Sequence, residues 1–417
     1  MLRLLHTSDW HLGVSSGPVS RAPDHTFFLS WLLEALEREA IDVLVIAGDV
    51  FDAMHPSAEA LRQYYGFLRA VGSTGVRDVV VVGGNHDSPS RLDAPAEVLG
   101  ALDVHVVGGL SSDPDTWERC VVPVRARGSD DVAGVVLAVP YVHEFRLGVR
   151  SAEVDRETAR TQLHQRFTGL YQQLTDLARE RHEGVPVVAT GHLTAGPATR
   201  DDYPQEIHQV AVLDAMPAEV FDPRLRYVAL GHVHRSYPVI EGRAWYCGSP
   251  IPMTILEAQT RRRVLRVDVE EGEDAVIEPL LLPVWRELHQ FDGSAEGVEK
   301  QLSRLTSTAP LPPLVRVRVR LSKPDPDLSR RLHAAVDTHA EAGRPVLVEI
   351  RQVVVLEETK PAEGPPPPLD TLTVSEVFDR LLAARGIPTE DPVRNAFDTL
   401  CSATSSDFEA LVAEAER

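Results

Sequence analysis

The sequence predicts an α/β domain, followed by a small α+β unit and a helical tail. Three observations predict it. Over the first two-thirds of the 417 residues, short apolar runs alternate with amphipathic stretches, the pattern of a layered α/β fold. Several of those apolar runs end on glycine followed by Asp, Asn or His, where α/β sheets assemble their sites. After about residue 270 the texture changes to fewer, alternating strands between amphipathic helices. The length accommodates two or three domains. A content of 43% hydrophobic and 25% charged residues is enough to bury a core.

The elements follow in order. Candidate strands are Leu2–Leu5, Val43–Ala47, Val79–Val82, Val135–Val139, Val187–Ala189 and Tyr227–Leu230. Between the first two, Phe28, Trp31, Leu32, Ala35, Leu36 and Ala40 keep helical spacing, with Glu34, Glu37 and Arg38 turned to water. Residues 151–184 read as a long surface helix, its Leu163, Phe167, Leu170, Leu174 and Leu177 spaced by three or four. Beyond it, Val276–Leu282 and Leu314–Leu321 read as strands, 294–306 and 327–341 as helices, and Val346–Val355 as a closing strand. Four consecutive prolines within 357–370 make an extended spacer. Residues 371–417 then carry three short helical patterns, the first opened by Thr373 and Glu376 as a capping box. The expected domains are therefore 1–268, 269–356, a linker at 357–370, and a partner-binding tail at 371–417.

Composition excludes several classes. No run approaches the roughly 18 apolar residues of a membrane span. The opening MLRLLHTSDW turns polar after five residues, unlike a secretory signal. Cys120, Cys247 and Cys401 are too widely spaced for a disulfide framework or a CxxC zinc site, and the expected location is cytoplasmic. The net charge of −20 is opposite to the basic footprint of a protein that grips nucleic acid unaided. Either nucleic acid is not the substrate, or a metal and a partner supply the positive charge.

Five segments place chemistry directly after an apolar strand: LLHTSDWH (Asp9, His11), VLVIAGDVFD (Asp49), VVVVGGNHD (Asn85, His86), PVVATGH (His192) and YVALGHVH (His232, His234). Each alone is weak. DxH is common, GD often caps a turn, and GNHD can simply be a turn that tolerates positive φ. Together, carried by strands of one sheet system, they converge on one rim. Their two carboxylates, one amide and several imidazoles, without a thiol, suit divalent Mn²⁺, Fe²⁺ or Zn²⁺ better than Ca²⁺.

The order DxH…GDxxD…GNHD…GH…GHxH resembles the calcineurin-like metallophosphoesterases. HTSDWHLG, GDVFD, GNHDSPSRL, GHVH and CGSPIP resemble, within them, the nuclease subunits of bacterial SbcCD-type complexes, strongly over residues 1–255 and in layout only beyond. The resemblance implies a four-layer α/β/β/α sandwich with a small α+β capping domain and C-terminal helices. It implies two divalent metal ions, Mn²⁺ foremost: one held by Asp9, His11, Asp49 and His234, the other by Asp49, Asn85, His192 and His232. His86 corresponds to the catalytic histidine, and Asp52 stands where the archaeal pattern has histidine. The implied partners are DNA and an SbcC-like coiled-coil ATPase, in a heterotetramer containing a homodimer of this chain. The chain has no GxxxxGK[ST], so ATP dependence must come from that partner.

Three functions remain open to the sequence. The first is a DNA nuclease, exonucleolytic on duplex ends and endonucleolytic on hairpins or single strands. The second is the same chemistry on a small phosphodiester or phosphoprotein. The third is a non-catalytic scaffold binding DNA ends. Arg261, Arg262, Arg263 and Arg266, and the strand face Arg316, Arg318 and Arg320, read equally as phosphate contacts or as a solvated face beside acidic neighbours.

Overall fold

A computed structural model describes residues 1–149, 155–196, 215–340, 343–354, 373–384, 394 and 396–397. The chain forms, in order, β1 (Leu2–Thr7), the short hairpin β2 (Ser15–Ser16) and β3 (Val19–Ser20), α1 (Ala22–Arg38), β4 (Val43–Ala47), α2 (Ala58–Val71), β5 (Asp78–Val82), α3 (Pro89–Asp93), α4 (Ala96–Gly100) and β6 (Val104–Val107). Next come β7 (Val121–Arg125), β8 (Val132–Leu137), α5 (Arg156–Arg181), β9 (Val187–His192), β10 (Tyr227–Gly231), β11 (Tyr237–Ile240), β12 (Ala244–Tyr246), β13 (Arg263–Val269) and β14 (Val276–Leu281). The last elements are β15 (Leu288–Gly293), α6 (Ala295–Arg304), β16 (Leu314–Leu321), α7 (Leu328–Val336), β17 (Val346–Val354) and α8 (Val374–Ala384).

Two six-stranded sheets pack face to face, ordered β14-β13-β1-β4-β5-β6 and β11-β12-β10-β9-β8-β7. The centre of each is parallel, and both faces of those strands are covered, so they read as unbroken apolar runs: β4 and β5 are buried at every residue. On the outside of the first sheet α1 buries Phe28, Leu29, Leu32, Ala35 and Leu36, and Trp10 meets Phe28 of α1 and Phe67 of α2 edge to face. On the outside of the second lies α5, with Leu170, Tyr171 and Leu174 buried. The result is the four-layer α/β/β/α sandwich.

One strand sits elsewhere than expected. Val276–Leu281 does not open the small unit. It pairs antiparallel with β13, which pairs with β1 from Leu2↔Val269 to His6↔Leu265, and so completes the first sheet. Apolar periodicity records burial, and pairing partners more than 250 residues away leave no trace in it.

The small unit is a parallel sheet, β15-β16-β17, crossed by α6 and α7. It has its own core of Val298, Leu302, Val315, Val317, Val319, Leu328, Leu332 and Val336. The alternation along β16 holds, with Val315, Val317 and Val319 buried between the outward arginines. Those arginines face acids on the flanking strands. Arg316 lies 2.6 Å from Glu349, Arg320 lies 3.0 Å from Asp292, and Arg318 is 4.0 Å from Asp292. Of the second arginine group, Arg266 pairs with Glu39 at 3.1 Å and with Glu278.

In the tail, the Thr373–Glu376 capping box forms, with Thr373 Oγ1 3.3 Å from Glu376 N–H and Glu376 Oε2 2.8 Å from Thr373 N–H. Phe378 of α8 stacks on Phe397 with centroids 3.8 Å apart, and Arg394 reaches Asp379 at 2.8 Å. The linker 357–370 and the last helical pattern, at 408–415, lie outside the described residues. Among the described residues no helix is long and apolar enough to cross a membrane.

The cap is fastened to the sandwich by a buried charge cluster. Arg286 Nε donates to Asp24 Oδ2 at 2.9 Å, and its Nη1 donates to Pro312 O at 2.8 Å. Arg21 Nη2 donates to the same Asp24 at 2.9 Å, and its Nη1 to Pro252 O at 3.0 Å. All three side chains are 5% exposed or less. Removing the one acid leaves two buried guanidinium ions uncompensated. Asp24→Ala should therefore cost about 3–5 kcal/mol, checked by urea unfolding, while an exposed-pair control such as Asp327→Ala should stay within about 1 kcal/mol.

Candidate metal centre

The ends of β1, β4, β5, β9 and β10 open onto one rim, and every site residue expected from the sequence reaches it or its edge. Asp9 Oδ1 accepts the His232 N–H at 2.9 Å. Asp49 Oδ2 stands 3.3 Å from His192 Nε2 and 3.6 Å from His11 Nε2, and Asp49 Oδ1 accepts the His86 N–H at 2.9 Å. Asn85 Oδ1 lies 3.1 Å from His192 Nε2 and 2.8 Å from His232 Nδ1. His11 Nε2 and His234 Nε2 face each other at 3.1 Å. His86 is exposed at the mouth, its ring edge-on to His11 at 4.8 Å.

Backbone strain is concentrated here. Asp9, His11, Asp49 and His232 have φ of 53°, 48°, 48° and 92°, in the left-handed region that L-residues avoid. Each such residue costs on the order of 1–3 kcal/mol and persists only where its surroundings enforce it. The glycines before these residues act differently from one another. Gly48 takes φ +91°, a turn requirement, and a Cβ there would also overlap the His192 ring. Gly84 has no unusual φ; a Cβ there would overlap Asp49, so glycine gives the carboxylate room.

The electrostatics are those of a buried anion among imidazoles. Burial raises the pKa of Asp49, but the charge and hydrogen bond of His192 outweigh it and hold the carboxyl well below its usual range. Burial lowers the pKa of His192, and Asp49 reverses this and lifts it to about 9. His232, buried and beside His192, is pushed down to about 3. Burial lowers the pKa of His234, and the hydrogen bond with Glu257 more than reverses it.

These side chains fit a divalent ion. Nitrogen donors bound at about 2.1 Å place neighbouring donors roughly 3 Å apart, close to the separations above. Two imidazole Nε2 atoms and an amide oxygen flanked by two ring nitrogens are lone pairs aimed at common points, an arrangement a cation rewards. Asp9, His11 and His234, and separately Asp9, Asp49 and His192, form clusters able to hold a metal. A third cluster, His11, Asp52 and His86, lies nearer the mouth.

Two residues had no assigned role in the sequence. Asp87, the last residue of GNHD, is buried and accepts N–H bonds from Val50 at 3.0 Å, Phe51 at 2.9 Å and Gly84 at 2.9 Å. It thus ties the GDVFD loop to the GNHD loop. Burial and the nearby Asp49 charge raise its pKa to about 6. Glu257, downstream of CGSPIP, places Oε1 3.4 Å from His234 Nδ1. The motifs and their flanks contained both signals; the hydrogen bonds that explain them are long-range. The partner of His86 is also defined: its Nδ1 meets the Asp52 backbone carbonyl at 3.0 Å, while Asp52 Oδ1 lies 3.3 Å from His11 Nδ1.

Comparison with known proteins agrees with this geometry. A family model described as calcineurin-like phosphoesterase matches residues 2–236, and one described as type 5 capsule protein repressor C-terminal domain matches residues 284–385. Curated relatives include the D-type subunit of the SbcCD nuclease from Escherichia coli (strain K12), 30% identical, covering 98% of this chain and 100% of that protein. Its counterpart from Rhodobacter capsulatus, which bears the same name, is 32% identical over 90% of this chain and 93% of its own length. That of Bacillus subtilis (strain 168) is 32% identical over 73% and 75%.

Because a Cβ on residue 84 would displace the Asp49 carboxylate, Gly84→Ala should weaken divalent-ion binding at least about tenfold, a loss of roughly 1.4 kcal/mol. Titration calorimetry with Mn²⁺ checks this against Gly100→Ala, where the added Cβ meets nothing within 4 Å.

Proposed function

The chain belongs to the calcineurin-like phosphoesterase family, and on that premise we propose that it is a metal-dependent DNA nuclease, the D-type subunit of an SbcCD-like complex. One observation carries the reading: from five strand ends, six side chains bring ligand atoms into contacts of 2.8–3.6 Å, and Asp9 joins His11 and His234 within 4.8 Å, in a strained and largely buried rim. Asp9, His11, Asp49 and His234 would hold one divalent ion, and Asp49, Asn85, His192 and His232 the other. Asp49 would serve both, since its Oδ2 lies 3.6 Å from His11 Nε2 and 3.3 Å from His192 Nε2. Two carboxylates, one amide oxygen and four imidazoles suit Mn²⁺.

Divalent ions held there would supply water activation and charge neutralisation for in-line displacement at a phosphodiester. The residues do the rest. His192 points Nε2 inward because Nδ1–H donates to Ala47 O at 2.8 Å, which fixes its tautomer. His86 is held by Asp52 O through Nδ1, leaving Nε2 toward the open mouth. From there it donates to a non-bridging or leaving oxygen of the substrate, stabilising charge that develops in the transition state. Burial of Asp9 and Asp49 keeps bulk water from screening the site.

The partner is an SbcC-like coiled-coil ATPase, in a cytoplasmic heterotetramer with two copies of each subunit. Its docking element is the tail. On α8, Phe378 stacks on Phe397 and Leu382 is buried, while Val377 and Leu381 remain 40% and 45% exposed one turn apart. That second apolar line suits a partner helix.

Asp49→Asn should lose both ions and all cleavage of duplex DNA; two bound ions with near-normal turnover in that variant contradict the bridge. His86→Ala should keep both ions by calorimetry and lose about 10²–10⁴-fold in kcat. A protein ending at Leu356 should still hydrolyse bis(p-nitrophenyl) phosphate with Mn²⁺, fail to co-purify with the ATPase, and lose ATP-stimulated duplex cutting. Full-affinity complex formation by the shortened protein would remove the tail from the docking surface.

A further inference from the structure

We propose that Glu257 is a positioning residue for the ion on the His11–His234 side of the centre: it fixes the His234 ring with Nε2 aimed inward. The proposal rests on the ligand assignment given above.

The imidazoles are oriented in different ways. His192 uses a backbone carbonyl, and His232 turns Nδ1 toward Asn85. His234 presents Nδ1 to a carboxylate, 3.4 Å from Glu257 Oε1, while its Nε2 faces His11 Nε2 at 3.1 Å. A carboxylate behind a ligating histidine selects the tautomer with hydrogen on Nδ1, frees the Nε2 lone pair and raises its basicity.

Glu257 is itself immobilised. Its side chain is 10% exposed. Its Oε2 accepts the Met253 N–H at 3.0 Å and lies 3.3 Å from Ser249 Oγ, and Thr254 Oγ1 is 3.2 Å from Oε1. Buried Arg262 donates to the carbonyl of His234 at 2.6 Å and to that of Glu257, binding the two backbones together. So many contacts on one carboxylate leave it a single orientation, and His234 inherits that orientation.

The test uses the full-length protein, stripped of metal and titrated with Mn²⁺ by calorimetry, with electron paramagnetic resonance reporting coupling between paired ions. Glu257→Ala should weaken one of the two ions 10–100-fold and the other by less than twofold. Glu257→Asp keeps the charge facing Arg262 but is too short to reach His234, and should behave the same; it serves if the alanine variant does not fold. Hydrolysis of bis(p-nitrophenyl) phosphate should need correspondingly more Mn²⁺ at half-saturation, with kcat restored at saturating metal. In a His234→Ala background, Glu257→Ala should add no further loss. Both ions bound at the parent affinity, both weakened alike, or additive losses in the double variant would each overturn the proposal and leave the ligand assignment standing. If His234→Ala alone keeps both ions at parent affinity, the assignment itself falls, and this proposal with it.

Discussion

Asp49 is a buried carboxylate with no Lys or Arg ion pair among those described, and its neutralisation by the neighbouring imidazoles organises the rest of the site. A carboxylate out of water is tolerated only when its lone pairs are occupied and its charge is matched. One oxygen takes the His86 N–H, and the other faces His11 and His192. Meeting those demands fixes the ends of β1, β4, β5 and β9 against one another. Asp87 ties the loops after β4 and β5 together through three backbone N–H groups, and the backbone N–H groups of Asp9 and His11 donate to the Gly48 and Asp49 carbonyls at 3.0 Å, so the strained φ angles at Asp9, His11 and Asp49 are held by a rigid frame.

The same centre bears locally on the charge of −20. A cluster of acids repels a polyanion, and arginines that could have offered a basic track are largely engaged. Arg316, Arg318 and Arg320 face Glu349 and Asp292, Arg266 faces Glu39, and Arg286 is committed to Asp24. On the proposed function, positive charge toward a phosphodiester would come from divalent ions at the centre and from a partner subunit. This division favours the nuclease-subunit reading over a scaffold that binds DNA by itself. The cap and the α8 tail favour it over an enzyme for small phosphodiesters, which needs neither.

Much of this was legible in the sequence, for physical reasons. Parallel strands covered on both faces must be largely apolar runs, so β4, β5, β9 and β10 announced themselves, and the residues at or just past their ends named the site. The alternation of Val315, Val317 and Val319 with arginines likewise gave the inward face of β16. Other features were not legible because they depend on partners distant in sequence. The β13–β14 hairpin joins the first sheet through Leu2 and its neighbours, and nothing local to residues 263–281 says so. The carboxylates opposite the β16 arginines come from β15 and β17. Asp87 and Glu257 act through backbone N–H groups and a histidine ring, which motif spacing does not reveal.

The central claim is that one buried carboxylate bridges two ions. Anomalous diffraction from crystals soaked in Mn²⁺ tests it most directly. A bridging Asp49 predicts two peaks about 3.5–4 Å apart, each roughly 2.0–2.3 Å from an Asp49 oxygen, one beside His11 and His234 and the other beside Asn85, His192 and His232. A single peak, or a second one lodged among His11, Asp52 and His86 and out of reach of Asp49, would contradict it.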